Sequence, residues 1–239
     1  MREPIRLDKR FVELYECSRG DAIKYIQGGW VLVDGVVEER PQFKVQDQEI
    51  DLHEDASLKP IEPVTLLLNL PEGIDTDDSA AMQQFITPES HCADDYSGVH
   101  MLKNHFFNLK PASPLQNGAS GLTIYSKDWK VHRVLADNHK KKEEEYIVEF
   151  SQEFTPQQLE QINELANSSD ESQPEYKASR QNETRMRFVM KFAHPNQIES
   201  LCKPLGLNII SIKRIRIGRV AMKDLPPGQW RYLSRKTMF

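Results

Sequence analysis

Gly28-Gly29, followed closely by Asp34-Gly35, leaves the N-terminal stretch of this chain little choice of fold. A glycine pair ends a helix, because glycine enters the left-handed region without a Cβ clash. Asp-Gly between Trp30–Val33 and Val36–Val37 predicts a tight hairpin, since the favoured two-residue turn needs positive φ at both positions. Upstream, Ile5, Leu7, Phe11, Val12, Leu14 and Tyr15 fall close to helical spacing and predict a helix over Ile5–Tyr15. Ser18 is a good N-cap for a second helix, Arg19–Gln27, with Asp21 placed as in a near capping box. Val45–Leu52 supplies a further strand. Residues 5–52 therefore read as a small α/β module.

His53–Pro63 is polar and proline-bounded, which predicts a domain over 1–55, a linker at 56–63 and a larger domain over 64–239. The larger part predicts strands at Val64–Asn69, Gly121–Ser126, Tyr146–Phe150, Arg187–Phe192 and Asn208–Ile217. Helices are expected from Pro156 to about Ala166 and over His194–Leu205, with Asn167–Asn182 as a polar loop. The acidic stretch over 75–110 resists assignment. Strands and helices without regular βαβ alternation indicate an α+β fold with a mixed sheet.

A chain of 239 residues with 28% charged and 38% hydrophobic residues can bury cores and is not a disordered polymer. Its longest apolar run, near Val64–Leu68, is far short of a membrane span, and Met1-Arg2-Glu3-Pro4 lacks the apolar stretch of a signal peptide. Cys17, Cys92 and Cys202 are odd in number and far apart, so free thiols in a reducing, cytoplasmic compartment are expected. Charge is segregated. Residues 176–239 carry fourteen Lys/Arg against Glu183, Glu199 and Asp224, a net of +11, whereas residues 1–175 carry seventeen against thirty-three, a net of −16. A locally basic face attracts phosphate whatever the total charge.

Ile5-Arg6-Leu7-Asp8-Lys9, then Ser18-Arg19 with Ala22, then Ile26, Gly29, Val31, Val33 and Gly35 resemble the S4 (αL-type) RNA-binding domain of ribosomal proteins and rRNA-modifying enzymes. Two helices and a hairpin would present Arg6, Lys9, Arg19 and Lys24 to the phosphates and 2′-hydroxyls of structured RNA. Trp30 is expected in the core rather than as a base-stacking platform.

The remainder is similar to the catalytic domain of the S4-containing bacterial rRNA pseudouridine synthases. Leu207 to Gly218, followed by Asp224-Leu225-Pro226 and Gly228-Gln229-Trp230-Arg231, resembles that family's ending. Asn69-Leu70-Pro71 resembles its first-strand signature, Leu109 to Gln116 with Ser120-Gly121-Leu122 its catalytic motif, and Glu145-Tyr146-Ile147-Val148 its tyrosine-bearing strand. The resemblance implies that RNA is the partner, rRNA in particular. It also implies a monomer that uses no cofactor or metal and has no membrane association. Arg214 and Arg216 join the expected RNA contacts.

Family chemistry uses an aspartate as nucleophile or proton acceptor, an arginine that keeps it ionised, and a tyrosine packed on the base. Here the aspartate position falls on Gln116, the arginine on Glu199, the signature lysine on Leu70, and the basic residue two before the tyrosine on Glu144. Tyr146 is kept. A neutral amide cannot attack as a carboxylate does. The resemblance therefore implies an RNA-binding pseudoenzyme of the isomerase family, in which a Gln116–Glu199 hydrogen bond replaces the ion pair. The alternative is an active synthase using a displaced carboxylate, with Asp94 and Asp95 as candidates. Asp128 reads as structural. His91, Cys92, His100 and His105 lie near Asp94-Asp95, but their spacing matches no standard zinc pattern.

Overall fold

The computed structural model describes residues 3–75, 78–137, 142–166, 175–191, 195–234 and 237. The chain resolves into two compact units, Met1–Pro63 with His100–Phe107, and Val64–Val99 with Asn108–Phe239. Residues 100–107, read from sequence as part of the larger domain, thus pack within the first unit.

The first unit runs β1 (Ile5–Arg6), α1 (Leu7–Tyr15), α2 (Arg19–Gln27), β2 (Val31–Val33), β3 (Val36–Val37), β4 (Lys44–Val45) and β5 (Ile50–Leu52). Helix α1 begins two residues later than its periodicity suggests, because Ile5 and Arg6 pair with Val45 and Lys44. The Leu7 and Asp8 N–H groups, orphans of the first turn, donate to Phe43 and Pro41 carbonyls. The stretch read as one strand, Val45–Leu52, splits for the same reason: β4 pairs with β1, and β5 with β2. Ser18 caps α2, its Oγ accepting from Asp21 N–H at 3.1 Å. Asp34 and Gly35 both have positive φ, as the hairpin requires. The core joins Leu7, Phe11, Ala22, Ile26, Val31, Val33, Val45 and Ile50. Against this unit lies a 3-10 turn, Lys103–Phe106. Glu39 accepts from Lys103 N–H at 2.8 Å, and the His100 ring stacks on half-buried Trp30 with centroids 4.8 Å apart.

The second unit contains β6 (Thr65–Leu70), α3 (Ser79–Gln83), β7 (Lys110–Pro111), β8 (Ser120–Ser126), α4 (Trp129–Asp137), β9 (Glu143–Phe150), α5 (Pro156–Ala166), β10 (Tyr176–Arg180), β11 (Arg185–Lys191), α6 (Gln197–Cys202), β12 (Ile209–Ile217), β13 (Val220–Ala221) and β14 (Trp230–Tyr232). Among the described residues its sheet has the order β10-β11-β9-β12-β8-β6-β14, with β13 beside β12 and β7 beside β8. Neighbours are antiparallel except β12 and β8, so the sheet is mixed and the fold is α+β. Strand β8 is buried at every residue. One core cluster joins Leu67, Leu122, Ile124, Leu135, Ile217 and Leu225.

Two elements depart from expectation. Helix α4 goes unread because Trp129, Lys130, Arg133 and Val134 are exposed, leaving only Val131 and Leu135 to mark a core face. Strand β10 lies inside the stretch read as a loop, Asn167–Asn182; residues 167–174 of it lie outside the described residues, as do Phe192 and His194. The β10 edge is covered. Asn163 from α5 both donates to Ala178 O and accepts from Ala178 N–H, and Tyr176 Oη donates to Ile162 O. No described helix is long and apolar enough to cross a membrane.

Gly121 sits where β8 and β12 come closest. Its φ is +91°, and a Cβ there would meet Arg214 O at 2.3 Å. Gly121→Ala is therefore expected to destabilise the protein by about 3 kcal/mol, read as a lowered urea midpoint.

Candidate functional site

The site is built around one guanidinium. Arg214 lies on β12 directly opposite Tyr146 on β9 and opposite Gly121 on β8, with no exposed surface. A buried arginine must have its N–H groups partnered, because desolvating a cation costs several kcal/mol. Arg214 Nε donates to Leu122 O at 2.8 Å, Nη1 to Pro114 O at 2.5 Å and Ser113 Oγ at 3.2 Å, and Nη2 to Ser113 O at 3.3 Å. The charge is met by Glu144 Oε2 at 3.1 Å. Glu144 and Tyr146 share a strand face, and Tyr146 Oη donates to the same carboxylate oxygen. Burial would lower the Arg214 pKa, but Glu144 holds it above its ordinary value. Burial pushes the Tyr146 phenol up. Tyr146 is only 1% exposed, so its ring offers no face to a base.

The loop that Arg214 holds leads to Gln116, which is buried. Its Oε1 accepts from Ile198 N–H at 3.4 Å. Glu199, one residue on, is exposed and lines an open groove of about 380 Å³ with Asn117, Gly118, Lys203 and the start of β12. The expected Gln116–Glu199 side-chain bond is thus replaced by a contact with the α6 backbone, because α6 turns Glu199 outward.

Asp95, a candidate displaced carboxylate, has another task. Its Oδ2 accepts from Tyr232 N–H at 2.8 Å and lies 2.8 Å from His91 Nε2, and its Oδ1 accepts from Ser97 N–H. Burial would raise its pKa, but these bonds hold it below the usual carboxylate value. Strand β14, which it grips, is four strand positions from Tyr146, on the order of 19 Å across the sheet. Asp94 is its exposed neighbour on that remote edge. Asp128 accepts from Lys130 N–H at 2.9 Å at the start of α4.

Arg214 and Arg216 were expected to face phosphate, and the structure gives both other roles. Arg214 is sealed in the core as described. Arg216 donates to Glu145 at 2.7 Å, to Glu143 at 3.3 Å and to Gly218 O. Glu145 also meets Arg187 at 2.5 Å, and Glu149 meets Arg185 at 3.0 Å. The acidic run on β9 therefore lies between arginines of β11 and β12 and neutralises part of the basic C-terminal segment.

In the first unit a second carboxylate organises two arginines. Asp8 has no exposed surface. Arg6 Nε donates to its Oδ1 at 2.9 Å, and Arg19 Nη2 donates to its Oδ2 at 2.9 Å. Burial would raise the Asp8 pKa, but Arg6 and Arg19 pull it below the ordinary 3.8. The two arginine side chains stay substantially exposed, at 42% and 58%. Lys9 is exposed beside them, and Lys44 stands opposite Arg6 across β1 and β4, on the same sheet face. Sequence reading missed Lys44, whose place depends on that pairing. Lys24 is pinned to Asp21 at 3.0 Å, one turn away.

Comparison with known proteins bears on this arrangement. No protein-family profile matches the chain. An uncharacterized RNA pseudouridine synthase of Aquifex aeolicus is 25% identical over 97% of this chain and 94% of its own length. The ribosomal small subunit pseudouridine synthase A of Vibrio parahaemolyticus is 27% identical over 97% of both chains. A crystal structure of a pseudouridylate synthase superposes with a TM-score of 0.57, covering 97% of this chain and 96% of that one at 20% identity, which speaks for a shared fold. The chain is thus similar over nearly its whole length to RNA pseudouridine synthases, and it shares a pseudouridylate synthase fold. Glu144, half-buried, pairs with the buried Arg214, a pairing that local sequence could not reveal because β9 and β12 meet only in the folded sheet.

Replacing Arg214 by Met should cost about 3–5 kcal/mol, because it strands Glu144 and the buried carbonyls of Leu122 and Ser113. Adding Glu144→Gln should recover more than 1 kcal/mol of that loss in a double-mutant cycle measured by denaturant unfolding.

Proposed function

We propose that this protein binds structured RNA, rRNA in particular, through its S4-like first unit, and that it has lost the isomerase chemistry of its family. The carrying observation is that the position matching the family aspartate is a buried neutral amide, Gln116. A carboxamide supplies neither an anionic nucleophile nor a base for a sugar proton. The closed Tyr146–Glu144–Arg214 cluster supports the same reading, because a base could reach the buried Tyr146 ring only after the Arg214–Glu144 pair and the Tyr146–Glu144 bond opened.

For binding, Asp8 supports the reading by holding Arg6 and Arg19 in place while their outer N–H groups stay in water. Fixing two long side chains in advance lowers the entropy lost on meeting phosphates. Asp8→Asn discriminates this from simple attraction. Charge alone predicts tighter binding when an anion is removed, whereas positioning predicts affinity weaker by about tenfold for a hairpin RNA at moderate salt. The same variant carries a stability signature. A carboxyl with a depressed folded pKa stabilises fully above its unfolded value of 3.8, and that stability is lost as pH falls through the lower folded value. Asp8→Asn should therefore lose stability at pH 7 and show a shallower acid dependence below about pH 4.

A second reading rests on Glu144, a carboxylate placed against the retained Tyr146. In that reading it acts as the displaced carboxylate of an active synthase. Incubating the protein with uridine-containing rRNA fragments and mapping pseudouridine separates the two. No product, with RNA binding intact, is expected. Product that vanishes in Glu144→Gln would overturn the loss of chemistry in favour of Glu144.

A further inference from the structure

Trp129 is 63% exposed at the start of α4, an unusual position for the residue type with the largest apolar surface. The other tryptophans differ: Trp30 is half-buried against His100, and Trp230 is fully buried with its Nε1 donating to Thr87 O. Helix α4 turns Val131 and Leu135 into the core, which leaves Trp129, Lys130, Arg133 and Val134 outward. Trp129 and Arg133, four residues apart, share one helix face. Lys110 of β7 is exposed and stands opposite Ser126, at the end of the strand that leads into α4. Asp128, the carboxylate that opens this helix, is taken up by the helix N-terminus. The surface therefore combines a single broad aromatic face with flanking cations. Among the described residues it lacks the contiguous apolar centre that a protein interface needs. A polyanion carrying flat rings satisfies both features.

We infer that the α4 face of the second unit binds single-stranded RNA, with Trp129 stacking on a nucleobase and Lys110, Lys130 and Arg133 meeting the flanking phosphates. This rests on the RNA-binding reading above but uses a surface separate from the first unit and from the closed Arg214 cluster. Stacking on an aromatic side chain tolerates any base, so the face adds affinity for an unpaired segment rather than choosing a sequence.

The test uses the full chain and two labelled probes, an RNA hairpin with blunt ends and the same hairpin carrying a uridine-rich single-stranded tail. The wild type should bind the tailed probe more tightly by on the order of fivefold or more, with tail-dependent quenching of tryptophan fluorescence. Trp129→Ala should abolish both the increment and the quenching while keeping its affinity for the blunt hairpin. Arg133→Glu should remove most of the increment and reduce its salt dependence. A wild type that binds both probes equally, or a Trp129→Ala variant that keeps the increment, overturns the inference and leaves the hairpin-binding reading standing. Quenching that the tail does not alter overturns it too, and leaves the face to a protein partner. Failure to bind either probe defeats the reading itself and this inference with it.

Discussion

The second unit depends on the burial of one positive charge. Arg214 is fully enclosed, and every structural decision around it follows from the need to keep its guanidinium solvated by protein. Its Nε and Nη groups draw in the Leu122, Pro114 and Ser113 carbonyls, which ties the loop before β8 to β12. Its charge draws in Glu144, and Glu144 draws in the Tyr146 hydroxyl. Gly121 has to be glycine because the strand carrying Arg214 passes too close for a Cβ. The proposed loss of chemistry requires that this cluster stay closed to a nucleotide.

The first unit uses the same pair of chemical groups with the opposite exposure. Asp8 is buried and its two arginines reach into water, whereas in the second unit the arginine is buried and its carboxylate is the more exposed partner. Which partner is sunk decides what the pair can do. A buried acid leaves cations poised for phosphate, while a buried cation leaves nothing to offer an anion. The contrast is what the proposed function requires, with cations exposed for RNA in the first unit and the arginine withdrawn from the surface in the second.

Local patterns made much of the first unit legible. Ser18, Gly28-Gly29 and Asp34-Gly35 each act on neighbours within a few residues, and α2 and the hairpin lie where those signals put them. Buried strands β6 and β8 were readable as apolar runs. What was hidden depended on partners distant in sequence. The basic C-terminal segment looked like a phosphate-facing surface until β9 laid Glu143, Glu144 and Glu145 between Arg187, Arg214 and Arg216. The expected Gln116–Glu199 contact missed because helix phase, set by packing of Ile198 and Leu201, turns Glu199 outward. Helix α4 escaped notice because its exposed face carries a tryptophan where a surface helix usually carries polar residues.

The most direct measurement of this account is the hydrogen exchange of the Arg214 side chain, followed by nitrogen-15 NMR in the presence and absence of a uridine-rich RNA that binds the protein. The account predicts that the Arg214 Nε–H, held by Leu122 O, exchanges among the slowest side-chain protons and that neither its rate nor its shift responds to RNA. Rapid exchange, or a shift in the Arg214 and Tyr146 signals on adding the RNA, would show a cluster that opens to nucleotide and would contradict it.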